Sequence, residues 1–97
     1  AHTSVRSSTP ASGSVLTQSP PVFEVSFAER VRLTSLIIAN SKGEMKLAFK
    51  PAASALRYIS AKPGFALGRN EIRWTALSQD GHVINGSIIV VMRKPSR

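Results

Sequence analysis

Turn-forming residues interrupt this chain again and again, and between the turns apolar side chains alternate with polar ones. The punctuation is Thr9-Pro10-Ala11-Ser12-Gly13, Ser19-Pro20-Pro21, Asn40-Ser41-Lys42-Gly43, Lys62-Pro63-Gly64 and Asp80-Gly81. A period of two suits an extended strand with one buried face and does not suit a helix, whose apolar face repeats every three to four residues. Helix signals are poor throughout. A chain so divided buries its apolar residues by stacking strands into a sandwich or barrel.

The spacing predicts about seven strands. Val5 opens the first. Val15-Leu16 and the following prolines read as a connecting segment with little room for ladder hydrogen bonds. Phe23, Val25 and Phe27 mark a half-buried strand, and Leu33 to Asn40 a separate one. Met45, Leu47 and Phe49 alternate along a strand closed by Pro51. Residues 52–55 form either a loop or a single helical turn, and Leu56 to Ser60 a short strand. Asn70 to Ser78 places Ile72, Trp74 and Ala76 on one face, and Val83 to Met92 is the last strand. The fold class expected is all-β: a seven-stranded Greek-key sandwich or barrel, immunoglobulin-like or cupredoxin-like. Trp74, Tyr58 and Phe65 read as packing residues, with a role for Trp74 in walling a site left open. Gly13 and Gly86 read as positions needing turn geometry or close approach.

Composition narrows the classes. With 42% apolar and 19% charged residues the chain folds rather than staying disordered, and 97 residues suit one domain, 1–97. Cysteine is absent, which excludes a disulfide framework and a thiolate metal site. The net charge of +8 raises the question of an anionic partner. The cations are scattered from Arg6 to Arg97, however, with neither an RNA-binding aromatic motif nor a basic amphipathic helix. Solvated strand faces and no nucleic-acid partner are expected, while an anionic membrane surface stays open. The longest apolar run, Ile88 to Met92, suits a strand and is too short to span a membrane. The start at Ala1-His2 fits processing after small residues and predicts a place outside the cytoplasm.

The two histidines carry the chemistry. His2 lies beside the α-amino group, and His82 closes Asp80-Gly81-His82. In an extended segment Asp80 and His82 share a face. If the fold brings the N-terminus there, amine, two imidazoles and a carboxylate converge, a set suited to tetragonal Cu(II). Taken singly, a terminal histidine is a bystander, and an aspartate before glycine stabilises a turn. Glu29 reads as a solvated carboxylate, or as an acceptor for a ligand imidazole.

These residues, together with Ser7-Ser8-Thr9-Pro10-Ala11-Ser12-Gly13, Phe23-Glu24-Val25-Ser26-Phe27-Ala28-Glu29 and Trp74-Thr75-Ala76-Leu77-Ser78-Gln79-Asp80-Gly81-His82, resemble the CopC family of periplasmic copper-binding proteins. The resemblance covers nearly the whole chain. It implies a Greek-key β-barrel or sandwich carrying Cu(II) in the periplasm, with His2, Asp80, His82 and the N-terminal amine as ligands. It implies a monomeric, non-enzymatic carrier that exchanges copper with another copper-handling periplasmic or membrane protein. Two departures stand out. Some members add a methionine-rich Cu(I) site, whereas this chain has only Met45 and Met92. In the family the histidine is itself the first residue, but here the amine belongs to Ala1. Ala1 is then either native or a remnant of processing or cloning. If it is native, amine and imidazole chelate together through a deprotonated peptide nitrogen, leaving one in-plane position for His82 and an axial or outer role for Asp80. Two other readings are a non-metal interaction module of the same fold and a histidine-brace copper oxidase. An in-plane carboxylate disfavours the latter by stabilising Cu(II).

Overall fold

The computed structural model describes residues 5–94. These form seven strands and no helix: β1 (Val5–Thr9), β2 (Ser14–Leu16), β3 (Val22–Asn40), β4 (Gly43–Lys46), β5 (Ala55–Ala61), β6 (Gly68–Ser78) and β7 (Val83–Met92). The strand order β1-β3-β6-β7-β2, with β4 and β5 also on β3, places few sequence neighbours side by side. Neighbours are antiparallel except β2 and β7, which run parallel from Ser14↔Val90 to Leu16↔Met92.

β3 organises the sandwich. Its first half lies between β1 and β5, and its second half between β6 and β4. Register breaks between Ser26 and Val31 and between Leu33 and Ser35 turn the strand from one layer into the other, as bulges do at sandwich corners. At that corner the buried Tyr58 hydroxyl donates to the Val31 carbonyl (2.6 Å) and accepts from the Leu33 N–H (3.2 Å). It thereby satisfies backbone groups where the ladder is interrupted. Phe23, Val25 and Phe27 from the first half meet Leu36, Ile38, Ile72, Trp74, Ile88 and Val90 in one core. Phe27 sits edge-on to both Trp74 (centroids 5.1 Å apart) and Tyr58 (6.3 Å).

The alternation on β6 holds along its length: positions 70, 72, 74, 76 and 78 are buried. Trp74 packs its indole against Gly86 on β7, where a Cβ would stand 2.7 Å from the ring. Asn70, fully buried, receives the Ala66 N–H and the Asn40 amide on its Oδ1. Its Nδ2 is shared among the carbonyls of Ala66, Gly68 and Val90.

Several expectations are corrected. The two strands anticipated over 23–27 and 33–40 are one, because the exposed residues 28–30 form a bent corner within the strand rather than a loop. The segment at Val15-Leu16 is a strand after all, since the β7 edge offers it a partner. The strand anticipated through Phe49 ends at Lys46. Leu47 is buried, with its N–H on the Leu36 carbonyl, beyond the last ladder pair. Of the two readings of residues 52–55 the loop holds, with 52–54 irregular and Ala55 already opening β5. The count of seven therefore stands with a different membership.

Candidate metal centre

Asp80 and His82 lie on the connection between β6 and β7. The Gly81 N–H donates to the Ser78 carbonyl (3.0 Å) and the Ser78 N–H to the His82 carbonyl (2.9 Å), closing a tight turn. Gly81 adopts φ +88°, a left-handed conformation that glycine takes without a Cβ penalty. The chain is not extended here, so a pleat is not what places Asp80 and His82 together. The turn does it, bringing His82 Nδ1 to 3.4 Å from Asp80 Oδ2. Both side chains remain accessible, His82 at 71% and Asp80 at 46%.

Ser78 orders the pair. Its hydroxyl donates to Asp80 Oδ1 and accepts the His82 N–H (3.2 Å), so one carboxylate oxygen is occupied and the other is turned toward the imidazole. The Ser78 hydroxyl, together with the neighbouring His82, holds the Asp80 carboxyl below the usual carboxylate range by stabilising its charge. This role was missed in the sequence, although Ser-x-Asp-Gly is a recognisable turn pattern.

The remaining anticipated residues divide. Ala1 and His2 lie outside the described residues. β1 begins with Val5 opposite Phe27, beside the corner from which Val31 reaches Ser78, so the start of β1 and the Ser78–His82 turn share one end of the molecule. Glu29 is exposed on that corner, and the acid against His82 is Asp80. Trp74 is core, 5% exposed, four residues before Ser78. Met45 lies exposed on β4, and Met92 is buried at the end of β7. Among the described residues no three His, Cys, Asp or Glu side chains gather into a metal-holding group. They provide two donors, one oxygen and one nitrogen.

Fold and turn together define an all-β sandwich that presents a carboxylate and an imidazole at the closed end of its β6–β7 hairpin. The chain belongs to the CopC family: the CopC domain model matches residues 5–89, which takes in both donors. Among solved structures it is similar to CopC from Methylosinus trichosporium OB3b, with TM-score 0.79 and 21% identity over 99% of this chain and 98% of that one. At that identity the likeness speaks for the fold. It is also similar to PcoC, a methionine-rich copper resistance protein from Escherichia coli, with TM-score 0.66 and 26% identity over 96% and 100% of the two chains. No curated protein sequence matches the chain.

Proposed function

We propose that this protein is a periplasmic carrier of one Cu(II), held by His82 and Asp80 with His2 and the Ala1 amine completing the set, and that it serves copper trafficking or resistance as a binding protein rather than an enzyme. The observation that carries the reading is the Asp80–His82 pair in a CopC-family chain. Two donors each roughly 2 Å from one metal stand roughly 2.8 Å apart when cis and 4 Å when trans, and the 3.4 Å seen here falls between. Small turns of the imidazole therefore bring both onto one ion. A carboxylate and an imidazole suit Cu(II), whereas the softer Cu(I) calls for thioethers. The two methionines stand on β4 and at the end of β7, so no Cu(I) function is assigned to them. Copper would pass to another copper-handling protein of the envelope, and acidification would favour release because imidazole must be neutral to ligate.

The test is a Cu(II) titration followed by electron paramagnetic resonance. One equivalent should give a nitrogen-rich tetragonal signal, which His82→Ala strips of one nitrogen and Asp80→Asn reshapes. Binding without defined stoichiometry, or a signal indifferent to His82→Ala, refutes the assignment.

A further inference from the structure

Among the described residues, the open end of the β6–β7 hairpin gathers cations with no acid paired to them. Arg69, the second residue of β6, pairs with Val91. Arg93 lies two residues beyond Val91, its N–H on the Leu16 carbonyl (2.8 Å), so the two arginines occupy diagonal positions across adjacent strands. Lys94 follows. Lys42 occupies the β3–β4 turn, its N–H on Asn40 Oδ1 (2.9 Å), and the Asn40 amide reaches Asn70 beside Arg69 (3.1 Å). All four cations are exposed. The acids of this sheet face, Glu44 and Glu71, are both held by Arg73, at 2.9 and 3.1 Å.

Apolar side chains project at the same level. Leu67, 53% exposed, precedes Gly68, which pairs with Met92, and the exposed Val15 lies opposite Val91. The ten residues of β7 separate this end from the copper turn by roughly 30 Å.

Exposed cations interspersed with single projecting apolar groups match the chemistry of an anionic bilayer surface, where headgroups attract the charges and acyl chains accept the apolar tips. We propose that this end, built from Lys42, Leu67, Arg69, Arg93 and Lys94, docks on anionic phospholipid and leaves the Ser78–His82 turn facing away from the membrane. The inference does not rest on the copper reading.

The experiment is co-sedimentation of the full chain with vesicles of phosphatidylcholine alone or mixed with phosphatidylglycerol. Binding should require phosphatidylglycerol and fade at high salt. Each basic residue at such a surface strengthens partition roughly fivefold, so Arg69→Glu/Arg93→Glu should weaken it by at least roughly 25-fold. Arg32→Glu/Lys50→Glu changes net charge equally away from this end, Arg32 lying opposite Leu77 at the far end of β6, and should weaken it far less. Equal loss in both double variants means diffuse attraction and overturns the proposal. So does equal binding to neutral vesicles, or binding to poly-glutamate without binding to vesicles. Circular dichroism of each variant excludes misfolding as the cause.

Discussion

Replacing Asn70 with alanine removes the amide that fastens the 66–68 segment to the sheet. Ala66 presents both its N–H and its C=O to this side chain, each at 2.9 Å and both buried, while Val90 and Gly68 lend carbonyls at 3.2 and 3.1 Å. A buried backbone group left without a partner costs about 1–3 kcal/mol. With two such groups at Ala66 and some relief from entering water, the expected loss is about 4 kcal/mol. A small domain has about 5–15 kcal/mol in total, so the variant should be marginal. In urea, with a slope of about 1 kcal/mol/M for a chain of this size, the midpoint should fall by about 4 M or the chain should be unfolded at the outset. Asn70→Asp sharpens the test. It keeps the shape but aims a carboxylate at three carbonyls, so its folded pKa should rise above the unfolded value. The stability it retains is then present at low pH and lost as pH rises through the folded pKa, the reverse of most surface carboxylates. A loss under about 1 kcal/mol for Asn70→Ala, or an Asn70→Asp variant that gains stability as pH rises, would refute the reasoning.

Three further outcomes are expected. Gly86→Ala puts a Cβ 2.7–3.0 Å from the indole of Trp74, so it should cost about 1–3 kcal/mol and move the tryptophan emission; an unchanged spectrum and midpoint would show that the ring yields freely. The Ser60 hydroxyl is fully buried with no hydrogen-bond partner, so Ser60→Ala should leave thermal stability unchanged or raise it, whereas a drop of several degrees contradicts that. The Asp80 carboxyl should titrate by NMR below an ordinary aspartate, contributing stability above the unfolded pKa that disappears as pH falls through the folded one. Ser78→Ala should return it toward the ordinary value, and no movement would mean that Ser78 does not hold it.

Much of the fold was legible because period-two patterning survives wherever one face of a strand is buried. Ile72, Trp74 and Ala76 share the buried face as their alternation implied, and Gly86 is needed for the close approach of Trp74. The same parity, carried two steps each way, reaches Asn70 and Ser78. These are the polar residues on that face, and each ties down the chain at one end of β6. Their burial went unread, because polarity at a strand end reads as solvent exposure. β2 was hidden for a different reason: three residues contain no hint that an edge more than seventy positions away will pair with them. The continuity of β3 was hidden because Ala28-Glu29-Arg30 has the composition of a loop while following the path of a bent strand. At the candidate centre, the pairing of Asp80 with His82 was anticipated, but a turn rather than a pleat produces it.

β3 has one more consequence. Immunoglobulin-type sandwiches commonly clamp their two layers with a disulfide. This chain has no cysteine, and its clamp is the main chain itself, passing from one layer to the other at the Ser26–Val31 corner. Such a clamp has no reduction potential. Neither a thiol reductant nor a redox-cycling metal can open it, and the scaffold contains no thiolate to compete for a soft ion. A copper-handling role would thus leave the chemistry of the cargo and the integrity of the container uncoupled.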